Sequence, residues 1–590
     1  MTRRTRSIRI AFRAIICVST CQQSLGFTPI EATIQEVSEA IQTGAVTSAE
    51  LVEIYLRRIA AFDDSGPVLN AFLSLNQNAL SMARALDEEL QINGPRSVLH
   101  GVPLVVKDLF NTEDMPTTIG NLALKDAQPS TDAFVVQRLR DAGAIILGKT
   151  NLDEFGATIA GLSSLGGQTL NPYALDRSPG GSSGGTATAV SANLAVAGLG
   201  NDGAGSIRIP ASFQSLVGVK PSLGFVSLSG TLHSNPKRTV SGPITRTVSD
   251  AATLMDFLVG RDAGDPYTEL DEGLFPDSFS DFLMTDALQG ARIAVLPSPF
   301  GASDRFVAKA GVGEITQQAQ LKMAELGAEI VNGVTLRSAT NLHLSNIPQL
   351  FDVSSITHTG NQWLQTLQKD FPIKTMQDIA DSGLYLPSLE SFFENLRPDL
   401  PPENDAAVQT TWALEEQIQS NLLAIMDSNN LDAIVMPSFS TPPPLLTDNP
   451  LLVGWLNSSL ASVARLPSVS VPAGFTLEGY PVGIEIIGRP YADPQLLGYA
   501  YAFEQATQFR RMPSVVAPKS GDFNGDTFVD GIDFLLWQRD PSLGELADWQ
   551  ENLGARPVDS SAAAVPEPTL ATLLLSGFFF LSRRVRADFR

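Results

Sequence analysis

The sequence predicts an α/β fold in which short buried strands alternate with amphipathic helices. Two observations carry this expectation. The apolar runs Val102-Pro103-Leu104-Val105-Val106 and Ala144-Ile145-Ile146-Leu147 have the length of strands buried on both faces. Between them lies the helical segment Ala133 to Ala142, and strands separated by a helix imply an α/β sheet.

The elements follow in chain order. Ile34, Val37 and Ile41, then Leu51, Ile54, Tyr55 and Ile59, recur at helical spacing. Thr47-Ser48-Ala49-Glu50 is a capped helix start, with a hydroxyl for an orphan amide and a carboxylate three residues on for the cap's own N–H. The first strand ends at Lys107 and the second at Gly148-Lys149. Apolar runs at Ala195 to Leu199, Ile293 to Leu296, Ala433 to Met436 and Ile484 to Ile487 continue the alternation through Gln508. There is no internal repeat and no linker before Pro513 to Gly521, so residues 28–515 are expected to form one domain.

Composition bounds the function. With 43% hydrophobic and 17% charged residues among 590, the chain can bury a large core. A net charge of −23, with no Lys/Arg cluster in the interior of the chain, excludes an electrostatic footprint for nucleic acid. Cys17 and Cys21 are the only cysteines, so the body has neither a disulfide framework nor a thiol nucleophile. The four histidines, His100, His233, His343 and His358, fall in no triad or zinc-ligand spacing.

The densest signal is glycine-rich: Ser178-Pro179-Gly180-Gly181-Ser182-Ser183-Gly184-Gly185, then Gly200-Asn201-Asp202-Gly203-Ala204-Gly205-Ser206-Ile207-Arg208-Ile209-Pro210. Glycine at such density marks close backbone approach or positive φ. Neither run ends in the Gly-Lys-Ser/Thr of a phosphate loop. Together with the strand ending in Lys107-Asp108, they resemble the amidase signature family. Lys149 to Phe155, Gly218 to Ser222, Leu466 to Gly474 and Pro481 to Pro490 extend the resemblance over about Ile30 to Arg510. Thr117 to Leu124 is similar to peptide amidases.

The resemblance implies an amidase signature fold, a large mixed β-sheet core covered by α-helices. It also implies that Ser206 is the nucleophile, Ser182 a bridging serine on a cis peptide, and Lys107 the terminal base. The chemistry suits these residue types. A serine hydroxyl needs a base, and a lysine serves as one only where its surroundings lower its pKa toward neutrality. Amides of Gly203, Ala204, Gly205 and Ser206 are expected to form the oxyanion hole, with Ser183, Asp202 and Arg208 in support. Relatives carry Gly where this chain has Ala204, so a positive φ there would cost about 1 kcal/mol or more. The relay needs no cofactor. It implies cleavage of a carboxamide C–N bond through an acyl-enzyme on Ser206, in a small-molecule or peptide amide.

After the linker, Asp522, Asn524, Asp526, Phe528, Asp530 and Asp533 take the positions of calcium ligands in an EF-hand-like loop, Phe528 through its carbonyl. Residues 516–555 resemble a single dockerin repeat, a small EF-hand-like module, with Thr527 where the turn glycine is usual. Calcium is the one metal expected. The ends are addresses. Residues 1–26 have the basic, apolar and small-residue layout of a signal peptide. Residues 556–590 carry Val565-Pro566-Glu567-Pro568, an apolar run from Leu570 to Leu581 and a basic end, resembling a Pro-Glu-Pro C-terminal sorting signal. The expectation is an exported enzyme of the cell envelope or exterior, held transiently in the membrane and handled by sorting machinery. Two alternatives stand beside it: the A chain of a glutamyl-tRNA amidotransferase, which shares the fold and relay, and a catalytically inactive surface-binding scaffold.

Overall fold

Each of the first two helices opens on a capping box. Thr33 and Glu36 cap Ile34–Thr43, and Thr47 and Glu50 cap Ser48–Phe62, in each case exchanging side-chain and backbone hydrogen bonds. The segment expected between the first strands is the helix Phe134–Asp141, whose Val135, Val136 and Leu139 are buried. This computed structural model describes residues 27–296, 311–336, 353–397, 399–448, 455–539 and 541–555.

The strands are β1 (Phe72–Leu75), β2 (Pro103–Lys107), β3 (Ile145–Thr150), β4 (Leu162–Ser163), β5 (Gly167–Gln168), β6 (Ala197–Asp202), β7 (Val217–Lys220), β8 (Val240–Thr245), β9 (Arg292–Val295), β10 (Glu329–Ile330), β11 (Ala433–Pro437), β12 (Ser468–Phe475) and β13 (Pro481–Ile487). β4 and β5 pair only with each other, and the rest form one 11-stranded sheet in the order β1-β3-β2-β6-β8-β7-β12-β13-β11-β9-β10. The sheet is mixed. β3, β2 and β6 run parallel, as do β10, β9 and β11, while β8, β7, β12 and β13 pair antiparallel. Every residue of β2, β3, β6, β7, β8, β11 and β13 is buried, as expected where helices cover both faces. The main hydrophobic core draws on residues from Ala32 to Val516.

One consequence sets the site. β2, β3 and β6 are parallel neighbours, so their C-terminal ends, Lys107, Thr150 and Asp202, lie along one edge of the sheet. Ligands of such sheets gather outside the carboxyl ends of parallel strands.

The chain beyond Pro513 is bound down to this body. Arg58, fully buried, donates to the carbonyls of Val516 at 3.2 Å and Gly525 at 2.9 Å, and Arg57 pairs with Asp526 at 2.6 Å. The loop Asp522–Asp533 leads into the helix Gly531–Arg539 and is followed by Leu546–Asn552, whose Trp549 donates to Asp530 O at 2.6 Å. The carboxylates mostly accept amides of their own loop. Asp533 takes those of Phe523, Asn524 and Asp530, and Asp522 takes that of Thr527, which has a positive φ of 81°. Among the described residues no group of three or more acidic, His or Cys side chains is placed to hold a metal ion. Residues 1–26 and 556–590, with both sorting layouts, lie outside the described residues. Among those that are described, no helix is long and apolar enough to cross a membrane.

Candidate active site

Lys107 ends β2 with no solvent exposure, and its Nζ donates to Ser182 Oγ at 2.6 Å. Burial is the main influence on this amine. It lowers the pKa to about 7, against the opposing pull of the Asp153 and Asp202 charges. Two other buried lysines mark the contrast. Lys149 is ion-paired with Asp108 at 2.8 Å, and Lys220, lowered to about 8 by burial, donates to Leu466 O at 3.0 Å. Lys107 alone among these three bonds to a hydroxyl in a cavity wall. Geometry therefore singles it out where pKa does not.

Ser182 follows a cis Gly181–Ser182 peptide and leads, through Ser183, into the buried helix Gly184–Ser191. Gly181 tolerates no side chain, because a Cβ there would fall 1.9 Å from Asp153 Oδ2. Asp153 is buried at the end of the segment after β3. Its Oδ1 accepts from Thr158 Oγ1 and from the amides of Ala160 at 2.8 Å and Gly161 at 3.0 Å. Burial raises its carboxyl above the usual range despite these bonds. Ser183 contacts the neighbouring strand. Its Oγ contacts both N and O of Asn201 at 3.4 Å, and its N–H donates to Ser206 O at 3.1 Å.

The loop after β6 is built on Asp202. This carboxylate accepts the amides of Gly205 at 2.7 Å and Ile207 at 3.1 Å, Arg208 Nε at 3.0 Å and Ser462 Oγ at 2.9 Å. Arg208 also pairs with Glu485 of β13, and all three charged groups are fully buried. Burial alone would raise Asp202, but the Arg208 charge overrides it and holds the carboxyl well below its usual range. Glu485 and Ser462 extend the Asp202–Arg208 ion pair. Neither of the two carried a local signal, since they enter from positions more than 250 residues away.

The four expected oxyanion donors divide. Gly205 N–H is committed to Asp202, leaving the amides of Gly203, Ala204 and Ser206 on residues that line the cavity. The positive φ of the loop falls at Gly205, at 113°, and not at Ala204, so the alanine carries no left-handed strain.

Ser182, Ser206, Gly203 and Ala204 open on one cavity of about 250 Å³. Its other walls are mainly apolar, from Leu109, Ile119, Phe155, Leu232 and Ile356. Ile119 belongs to the segment resembling peptide amidases, and Ile356 comes from the helix Val353–Leu364. Asn201, whose side-chain nitrogen is buried without a partner, and His233 also line it, and neither was among the expected site residues. Burial lowers the His233 pKa.

A family model described as amidase matches residues 50–497. A probable amidase of Arabidopsis thaliana is 31% identical over 519 residues, covering 85% of this chain and 94% of the relative. The A chain of the glutamyl-tRNA(Gln) amidotransferase of Thermoanaerobacter pseudethanolicus is 31% identical over 500 residues, 82% of this chain and 98% of that one. Among solved structures, the native peptide amidase from Stenotrophomonas maltophilia matches with a TM-score of 0.74 and 33% identity over 82% of this chain and 99% of its own. Matches of this extent reach across the whole sheet and both glycine-rich loops, and on them the chain is an amide hydrolase of the amidase signature family.

Proposed function

We propose that the protein hydrolyses a carboxamide by way of an acyl-enzyme on Ser206. Neutral Lys107 takes a proton from Ser182 Oγ, Ser182 takes one from Ser206, and Ser206 Oγ attacks the amide carbon. The oxyanion is met by the amides of Gly203, Ala204 and Ser206. Proton return through Ser182 releases the amine, and water then cleaves the ester. The observation that carries this reading is the 2.6 Å bond between Lys107 and Ser182 in a cavity that also exposes Ser206. The apolar walls suit an apolar acyl group, and the likeness to a peptide amidase supports a peptide amide as substrate.

The test is a panel of C-terminal peptide amides, fatty amides, short aliphatic amides and glutamine, with Ser206→Ala as control. Hydrolysis of at least one without ATP or a partner protein, lost in the variant, is expected together with fluorophosphonate labelling of Ser206. Turnover unchanged in Ser206→Ala sinks the assignment. Turnover that needs ATP and charged tRNA favours the amidotransferase reading instead, which the likeness to that enzyme's A chain keeps in play.

Two further proposals concern the ends. Export rests on the layouts of residues 1–26 and 556–590, and terminal mass spectra of native material retaining both Met1 and Arg590 refute it. Calcium in the loop Asp522–Asp533 rests on Asp522. Its Oδ1 is buried without a hydrogen bond, and burial together with Asp526 and Asp533 pushes its carboxyl up to about 7. Asp526, held by Arg57, must let go to join a metal. Calorimetric titration of the full chain with calcium decides the point, and absence of heat rejects it.

A further inference from the structure

A second cavity, of about 500 Å³, adjoins the catalytic one, and His233 is part of the wall of both. The partition is thin. Along the segment 228–236, Leu232 and Ser234 line the catalytic side, and Thr231 and Pro236 the other. The helix Val353–Leu364 divides in the same way, with Ile356 on the catalytic side and Thr359 about one turn on. Thr359 Oγ1 donates to His233 O at 2.6 Å and fastens the two halves of the partition together.

The chemistry of the second cavity differs from that of the first. Tyr267 and Trp363 supply aromatic walls. Of its two carboxylates, Asp265 is committed to the amides of Leu228 at 2.8 Å and Tyr267 at 3.0 Å. Glu403, exposed on the short helix Pro402–Asn404, makes no hydrogen bond or ion pair among the described residues. His358 lines the cavity with its Nδ1 committed to Asp399 at 2.6 Å. Arg465, whose charge reaches Tyr267, is committed to Glu415 and Glu416. What remains is an aromatic trough with one uncommitted negative charge, which suits an ammonium group carried on an apolar chain.

We propose that this cavity is a distal subsite of the enzyme. It receives the end of an acyl chain long enough to pass His233, and it selects a chain ending in an ammonium group. The inference rests on the amide-hydrolase mechanism above, and adds to it the substrate class: peptide amides with a cationic far end. Either a free α-amine or a basic side chain supplies that chemistry.

The experiment is a ladder of peptide amides from one to four residues, each with a free and an N-acetylated terminus, assayed with the full chain at low salt. From the length at which the chain enters the second cavity, the free-amine form is expected to have a kcat/KM about fivefold higher, the upper range for a partly exposed charge pair. Glu403→Gln is expected to erase that preference through KM rather than kcat. An N-acetylated amide with lysine at its first position separates the sources. Recovery of the preference assigns the subsite to a basic side chain as well, and no recovery assigns it to the α-amine. Equal rates for free and acetylated forms at every length overturn the proposal, as does a preference that survives Glu403→Gln. If the wild type hydrolyses no amide of any length, including the acetylated single residue, the hydrolytic mechanism fails and the subsite falls with it.

Discussion

Replacing Lys107 with methionine, which nearly conserves its volume, should abolish hydrolysis and yet stabilise the fold at neutral pH. The lysine is lowered from 10.5 to about 7 by burial, so its native state binds fewer protons than its unfolded state across that interval. Stability therefore rises with pH between the two values, at about 1.4 kcal/mol per pH unit, and near pH 7 the buried amine costs about 4 kcal/mol. Methionine removes this cost and loses the bond to Ser182, which contributes about 1–2 kcal/mol, leaving a gain of about 2–3 kcal/mol. Urea denaturation of both proteins at about pH 7 and about pH 9 reads the effect, and the advantage of the variant should shrink by about 2 kcal/mol over that range. Ionisable groups common to the two proteins cancel in the comparison. A difference that does not change with pH refutes the claim that Lys107 is held neutral by its surroundings.

Three more outcomes follow from the site. The kcat/KM of amide hydrolysis should rise with pH through a midpoint near 7, because protonated Lys107 cannot take a proton; a pH–rate profile with its only limb near pH 4 contradicts this. Gly205→Ala should lower stability by about 1–3 kcal/mol and cut turnover, while Ala204→Gly should change kcat/KM less than about threefold. The reason is that only Gly205 has a positive φ, and a Cβ there would lie 2.7 Å from that of Ser458; thermal melts and kinetics of the pair check it. Asp202→Asn should destabilise by about 3–5 kcal/mol, since it leaves Arg208 buried with a single carboxylate, and denaturation at neutral pH measures the loss.

The sequence was most readable where local chemistry and global role coincide. β2 and β3 each begin as a continuous apolar run, and the helix after Thr47 has its cap written in four residues, so both were legible. β8 was not. Its Val240-Ser241-Gly242-Pro243-Ile244-Thr245 contains the residues of a turn, yet it lies in the middle of the sheet, where a Cβ on Gly242 would meet Val219 O at 2.2 Å. Tertiary packing there overrides propensity. The site divides along the same line. Lys107, Ser182 and Ser206 stand in dense motifs, and Asp202 and Arg208 are close enough in sequence to be read as a pair. Glu485, Ser462 and His233 reach the site only through the fold. Asp153 lay within a segment that resembled the family, but nothing in its spacing disclosed that Gly181 is packed against its carboxylate.

The buried charges around Asp202 also bear on when activity can first appear during synthesis. The loop carrying Ser206 is closed by Ser462, 260 positions beyond Asp202, and by Glu485, 277 beyond Arg208. A nascent chain that has just emerged past Ser206 holds Ser206, Ser182 and Lys107 but has nothing to neutralise the second side of Arg208. Ribosomes release domains progressively from the N-terminus, so most of this chain must be made before the loop can lock. Fragments ending short of β13 should therefore be inert toward amides and acylating probes alike, and activity should switch on late and all at once.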